Sequence, residues 1–525
     1  MKKVYPTFGF SLLFLMLLGC TKQFDSFNTN PYGVTDASAA QDFNNIGSYL
    51  GQLQQNIYTV TADLQLDENL VGDVYAQYLV PPTPFVSNKN NVTYKITYWD
   101  AQWNKSYEKV MPVLMNYKLK GVDVTYPQFY AWATVLKIFT MQRTTDNYGP
   151  IIYSNYGTTS STINYDSQRD VYYKFFEELD SAIPVLSKYA DDRNSSFTNF
   201  DLAYGGDVSK WVKAANSLRL RLAMRISKVD KGKAQLEAEK AIAQKYGVIT
   251  DNSSNLFVSV GSRAHPLGII CFNWGDTRMC ATMESILKGF NDPRLQVYFS
   301  PNSDPLLVSG DYKGIRQGID ISSKSTYLGF SEIGQMYKTA KTVQIMTAAE
   351  VNFLQAEGAL RGWNMGSKSA EEFYANGVKL SFAQNGVSGY VDYLNDNQST
   401  FLDYQDPINP INSFKASSNI TIHWSDADSK EVKLEKIITQ KWIACYPDGQ
   451  EAWSEFRRTG YPKLIPVVVN YSGGTISTDQ FIRRMIYPQT EYNTNNTGLQ
   501  NGLALLGGPD TGGTRVWWDT NTANF

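Results

Sequence analysis

Residues able to do acid–base, nucleophilic or metal chemistry are scarce in this chain and poorly spaced for it. There are two histidines, His265 and His423, in 525 residues. That is little material for a Ser-His-Asp triad or a histidine-rich zinc site. Glu350 and Glu357 fall on one face of an expected helix, but a seven-residue step is ~10.5 Å along the axis. Paired glycosidase carboxyls sit roughly 5 to 9.5 Å apart, so Glu350 reads more simply as a helix cap. No phosphate-cradling loop or dinucleotide fingerprint occurs. Asp and Asn are common in the loops, yet no Asp-x-Asp-x-Asp-Gly run supports a calcium site. The sequence therefore offers no catalytic residue, no cofactor and no metal ligand set.

What it offers instead is contact surface. Aromatics are 14% of the chain, with 34 Tyr and 11 Trp. An aromatic in an irregular segment can turn a flat amphipathic face to a ligand, whereas one on a periodic stripe fills a core. The leading candidate is Trp274, in Phe272-Asn273-Trp274-Gly275-Asp276-Thr277-Arg278, where Asn273, Asp276 and Arg278 supply an amide, a carboxylate and a guanidinium beside the ring. Tyr75, Tyr78 and Phe85 border the Pro81-Pro82-Thr83-Pro84 loop and form a second group. Trp99 is a further candidate, although Trp99 and Trp103 share one helical face, a pattern more typical of packing. Trp132, Trp211 and Trp442 lie on buried stripes, and Trp517 and Trp518 are placed to pin the C-terminus.

The elements that must carry these residues are mainly helical. Helices are expected over Asp36–Tyr58, from Pro127 to near Arg143 with Thr125 as cap, and over Val171–Leu186, Val208–Val229, Ala234–Tyr246 and Ala281–Phe290. A Thr347-x-x-Glu350 capping box opens another helix that includes Met346 and runs to Trp363, with Glu371–Phe382 as its partner. Val432–Cys445 follows, then a helix capped by Asp448 with Glu451 three residues on. Residues 71–98, 251–337 and 460–525 read as irregular, rich in Pro, Gly and Asn. The fold class is thus mainly α: degenerate tetratricopeptide-like helix pairs with long loop insertions, without an exact period.

Charged residues are 19% and the net charge is −2, so bulk electrostatics excludes nucleic acid as a partner. Lys2 and Lys3, the apolar run Phe8–Leu18 and Leu17-Leu18-Gly19-Cys20 make a signal peptide with a lipoprotein ending. The run is shorter than the ~20 residues of a spanning helix. Residues 1–19 are read as the signal, Cys20 as the lipid acceptor, 20–34 as a tether and 35–525 as the folded domain. Of the other cysteines, Cys271 and Cys280 are close enough in sequence to pair, a matter that spacing leaves open, and Cys445 sits on an apolar helical face.

Several stretches resemble one family. They are Thr144–Ile151 (TTDNYGPI), Asn291–Leu295 (NDPRL), Met346–Val351 (MTAAEV), Gln440–Ile443 (QKWI), Glu451–Pro462 (EAWSEFRRTGYP), Arg484–Asn493 and Arg515–Asp519 (RVWWD). In this order, from the leader to the last ten residues, they look like the SusD/RagB-like outer-membrane nutrient-binding lipoproteins. The resemblance implies a helical body with four tetratricopeptide-like pairs and an anchor at Cys20. It further implies a place at the cell surface over a TonB-dependent, SusC-like outer-membrane transporter. The implied role is non-catalytic capture of a nutrient, an oligosaccharide in many members and a peptide in some. The shared motifs are structural and carry no binding residue over to this chain. A glycoside hydrolase and a purely structural surface protein are the alternatives outside the family.

Overall fold

The computed structural model describes Met1 and residues 41–525, so the signal segment, Cys20, the tether and the start of the first expected helix lie outside the described residues. By its internal contacts the chain divides into two units, 1–48 and 49–525. The principal helices are α1 (Asn44–Gln55), α2 (Pro127–Tyr148), α3 (Gln168–Asp191), α4 (Val208–Arg225), α5 (Lys231–Ala243), α6 (Ala281–Gly289), α7 (Ala348–Leu360), α8 (Ala370–Gln384), α9 (Lys430–Cys445), α10 (Gly449–Thr459) and α11 (Asn496–Leu506). Helices α2 to α5 pack each on the next, α7 packs on α8 and α9, and α4 meets α7. The strands are short: β1 (Leu79–Val80), β2 (Leu256–Ser259), β3 (Arg278–Met279) and β4 (Thr342–Met346) form two antiparallel pairs, β1 with β3 and β2 with β4.

The expected helices are present, and their boundaries shift where tertiary contacts outweigh local composition. Helix α2 begins with Pro127 in its first turn and Tyr126 ahead of it, with no side-chain cap; Thr125 closes a separate short turn, Val122–Thr125. It runs past Arg143 to Tyr148 because polar Asp146 is fully buried and satisfied there, by the hydroxyl of Tyr172 at 2.5 Å and the indole N–H of Trp518 at 2.9 Å. Gly149, at φ +83°, and Pro150 then stop it. Met346 is a strand residue opposite Leu256, so α7 starts one residue beyond its Thr347 cap. Residues 489–494 and 496–506, expected as loop, are helical. Cys271, Cys280 and Cys445 are buried free thiols, the first two separated by the extended β3 segment that is paired to β1.

Aromatic stripes make the core of the first helical layer. Trp132 of α2 stacks on Phe197 at 4.1 Å and meets Trp211 of α4 at 5.3 Å. At the next layer the helices are joined by charge. Arg225 of α4, wholly buried, reaches Glu451 at 2.5 Å and Glu455 at 2.7 Å on α10, and Asp146 of α2 at 3.4 Å. Arg458 binds Glu357 of α7 through both terminal nitrogens, at 2.7 and 2.6 Å. Arg221 grips Glu350 through two 2.7 Å bonds, and Lys441 of α9 binds Glu451 at 2.8 Å. Glu350 thus follows the Thr347 cap but spends its carboxylate on Arg221 rather than on a reciprocal capping box. Burial by itself would raise the Glu451 carboxyl; Arg225, Lys441 and Arg221 outweigh it and hold it down to about 2. Close approach elsewhere needs glycine. A Cβ on Gly449 would lie 2.4 Å from the amide nitrogen of Asp73, so α10 and the short helix Gly72–Tyr75 touch backbone to backbone.

Removing one member of a buried ion pair leaves its partners uncompensated, at a cost of about 3 to 5 kcal/mol. Arg225→Met is expected to lower the urea midpoint by a corresponding amount, whereas Lys415→Met, at an exposed pair with Asp403, is expected to change it by less than about 0.5 kcal/mol.

Candidate functional site

The β1–β3 pairing sets Leu79 opposite Met279 and Val80 opposite Arg278. The Pro81–Pro84 loop, which leaves β1, therefore lies beside the segment that enters β3. That segment starts from the helical turn Pro266–Gly268 and a π-turn, Ile269–Asn273. The π-turn closes through the amide of Trp274 to the carbonyl of Ile269 at 3.0 Å and the amide of Asp276 to that of Ile270 at 2.9 Å. Gly275 takes φ +66° between them, a conformation that glycine adopts without the cost of a Cβ. The reversal turns Trp274 outward. Its side chain is 43% exposed, an unusual state for so large an apolar group.

Asp276 is the knot of this region. One oxygen accepts from the hydroxyl of Thr83 at 2.5 Å and the ammonium of Lys324 at 2.7 Å, and the other from the amide of Gln65 at 3.4 Å. Lys324 also donates to the carbonyl of Trp274 at 2.6 Å. Four segments distant in sequence are thereby fixed around one tryptophan, and a Cβ on Gly275 would meet Leu328 at 3.2 Å. Leu66, Val86 and Leu328, on those same segments, are exposed apolar residues. Asn273 is exposed beside the ring. The loop tip Val86-Ser87-Asn88 has positive φ at all three residues, 50°, 52° and 65°. A β-branched residue is strained there, and the tip is held by Asn90 to the carbonyl of Phe85 and by Asn88 to that of Ile321, each at 2.7 Å. Such a surface can hold a flat ligand against Trp274 and offer it amide, carboxylate and ammonium hydrogen bonds.

Not all the residues singled out from sequence face this surface. Arg278 is buried, its guanidinium donating to the carbonyls of Leu328 at 2.8 Å and Thr277 at 2.7 Å, with Glu332 at 3.5 Å; it braces the loops from behind. Tyr75 is buried against Trp453 at 5.1 Å between centroids. Tyr78 is fully buried, its ring 4.8 Å from Trp442 and its hydroxyl bonded to the Trp442 carbonyl. Both belong to packing: Tyr75 lies against α10, which approaches its segment through the Gly72–Gly449 contact, and Tyr78 lies against α9 and Tyr446. Phe85 is half-buried against Tyr98 at 6.3 Å. Trp99 is half-buried and precedes the helix Ala101–Lys105, so it does not share a helical face with Trp103. Trp103 is buried among Tyr107, Tyr148, Tyr165 and Tyr487. Gln65, Thr83 and Lys324 were not legible as site residues: each is an ordinary polar residue in an irregular stretch, and only the fold brings it to Asp276.

Comparison with known proteins fixes the lineage. The model of the SusD-like family, described as SusD and RagB outer membrane lipoprotein, matches residues 26–519. The chain belongs to this family. Among solved structures, a chitin-binding SusD homologue from Flavobacterium johnsoniae is 46% identical, with a TM-score of 0.89 over 92% of this chain and 100% of the relative. SusD homologues from Bacteroides vulgatus and Bacteroides thetaiotaomicron are 37% and 31% identical, with TM-scores of 0.86 and 0.85 over 92% and 91% of this chain and 99% and 100% of theirs. No curated protein sequence matches the chain at a significant level. The SusD-like fold expected from the sequence motifs is the fold observed. As a family member it is an outer-membrane lipoprotein and a non-catalytic binding protein.

Exposure and bonding separate the two kinds of residue experimentally. Trp274→Ala is expected to leave the urea midpoint within about 0.5 kcal/mol of the unsubstituted protein. Arg278→Ala, which leaves the buried carbonyl of Thr277 without its guanidinium donor and removes the brace to Leu328, is expected to cost about 2 kcal/mol.

Proposed function

We propose that this SusD-like lipoprotein captures a glycan on the Trp274 face and passes it unmodified to a TonB-dependent outer-membrane transporter, while anchored to the membrane by lipid on Cys20. The observation that carries the reading is the exposed indole of Trp274 held beside Asn273, Asp276 and Lys324. The C–H face of a pyranose ring stacks on such an indole, and its hydroxyls or acetamido groups bond the polar rim. Phe85, half-buried at the end of the Pro81–Pro84 loop, and Trp99, half-buried ahead of the helix Ala101–Lys105, are further aromatic candidates for ligand contact. The 46% identity to a chitin-binding homologue favours β-linked N-acetylglucosamine oligomers as the first ligand to try. A peptide ligand, the other habit of the family, is the alternative outcome.

The test is calorimetric titration of the full-length lipoprotein in detergent micelles with chitohexaose, maltohexaose and a mixed peptide pool, with chromatography of the recovered ligand. Saturable binding of intact chitohexaose, weakened about tenfold by Trp274→Ala, is expected, since a buried aromatic contact of this kind contributes more than about 1 kcal/mol. Undiminished affinity in Trp274→Ala would move the site elsewhere, and binding of peptides alone would replace the glycan reading. The anchor is tested separately: Cys20→Ala is expected to shift the protein from the membrane to the soluble fraction, because a protein without its acyl chains loses the ~0.8 kcal/mol contributed by each buried methylene.

A further inference from the structure

A second cavity, of about 360 Å³, shares no lining residue with the Trp274 face. It is an open, solvent-facing depression bordered by the connection after α4, the last turn of α10 and the C-terminal segment. Its walls are rich in cations: Lys228, Arg457, Arg458, Arg483 and Arg515. Arg458 is neutralised by Glu357 and Glu455; the other four are not neutralised to the same degree. Among the described residues the ammonium of Lys228 donates only to carbonyls, those of Arg458 and Thr520, each at 3.1 Å. Arg457 is buried and makes no ion pair among the described residues. It donates to the carbonyls of Asp146 and Arg483 at 2.6 and 2.8 Å and to the Ser454 hydroxyl at 2.9 Å, and its Nε is buried without a partner. The rings of Trp453 and Trp518, at 3.6 and 4.8 Å, hold it in place but bring no net charge.

Arg483, also buried and with its Nε unpartnered, has among the described residues only Asp519 within ion-pair reach, at 3.5 Å, and Arg515 binds that same carboxylate. The remaining acidic group, Glu431, is taken up by the Tyr461 hydroxyl at 2.9 Å and the Asn524 amide at 2.6 Å. Three guanidiniums and one ammonium are thus set against Asp519 and Glu431, with the Asp146 carboxylate behind Arg457 already shared with Arg225. A guanidinium does not shed its proton in a protein, so it cannot relieve the excess by neutralising itself. A buried charge of this kind is stable only when paired.

We propose that this cavity is a binding site for a small oxyanion, a phosphate, sulfate or carboxylate group, received by Lys228, Arg483 and Arg515 with the fixed charge of Arg457 behind them. Planar guanidinium forks match such groups through paired, charge-assisted hydrogen bonds. Burial lowers Lys228 to about 8 and also depresses Arg457 and Arg483, as expected of cations short of counter-charge. The site is independent of the glycan reading.

Calorimetric titration of the full-length lipoprotein in detergent with sodium phosphate, sodium sulfate and sodium glucuronate, at constant ionic strength and against a chloride background, tests it. Saturable binding with Kd on the order of 1 mM is expected, weakened about tenfold in Lys228→Gln and in Arg515→Gln, each of which removes a charge-assisted bond. The exposed-lysine control Lys415→Gln is expected to bind as the unsubstituted protein does. A response to phosphate and sulfate assigns the site to a free inorganic oxyanion, and a response to glucuronate alone assigns it to the carboxylate of a sugar acid; either supports the proposal. No saturable heat up to about 100 mM of any of the three, or unaltered affinity in both Lys228→Gln and Arg515→Gln, overturns it.

Discussion

The fold turns on a buried set of compensating charges. Arg221, Arg225, Arg361, Lys441 and Arg458 interlock with Asp146, Glu350, Glu357, Glu451 and Glu455 across α2, α4, α7, α9 and α10. Apolar packing is tolerant of small slips between helices, whereas four of these five carboxylates, Glu350, Glu357, Glu451 and Glu455, are shared between cations on different elements. Only one arrangement of the five helices satisfies them together. The desolvation penalty of so many ions is large, and it is offset because nearly every donor has a charged or carbonyl acceptor within hydrogen-bond distance. Register, more than net stability, is what such a network specifies.

That rigidity is transmitted to the loops. Helix α10 meets the Gly72–Tyr75 turn backbone to backbone, and Arg143 of α2 bridges Glu68 and Asp448. Glu68 belongs to the π-turn Gln65–Asn69, whose first residue, Gln65, reaches Asp276. The exposed indole of Trp274 is therefore mounted on segments that are themselves tied to the ionic core. A face mounted this rigidly would lose little conformational freedom on binding the proposed ligand. The cation-rich cavity at the end of α10 draws on the same helix from its other end: Arg458 joins the network while the adjacent Arg457, one helical position earlier, is left with neutral acceptors.

Much of the secondary structure was legible because it rests on short-range physics. Apolar residues at three- and four-residue spacing placed α2, α3, α4, α7 and α9, and the Asp448 and Thr347 caps are where their side-chain chemistry puts them. The errors fall where a distant partner intervenes. The buried Asp146 extends α2 through a stretch whose Thr and Asn content argues for a turn, and Arg221 diverts Glu350 from the reciprocal cap. Arg278 illustrates the same limit at the site: next to Trp274 in sequence it looks like a ligand contact, yet Leu328, Thr277 and Glu332 enclose it.

By itself the sequence determined the class of molecule. Its helical periodicity and the family motifs spread along the chain are local properties, visible one window at a time, and they fix a mainly helical SusD-like lipoprotein. Tertiary structure alone decided which aromatics are surface and which are core. Trp274 and Tyr78 both lie outside any periodic stripe, but the π-turn expels one, and packing on Trp442 of α9 and on Tyr446 buries the other. It alone, too, gathered Gln65, Thr83 and Lys324 onto Asp276. The physical reason is that burial and charge pairing depend on which distant segments share a neighbourhood, and no window of sequence holds that information.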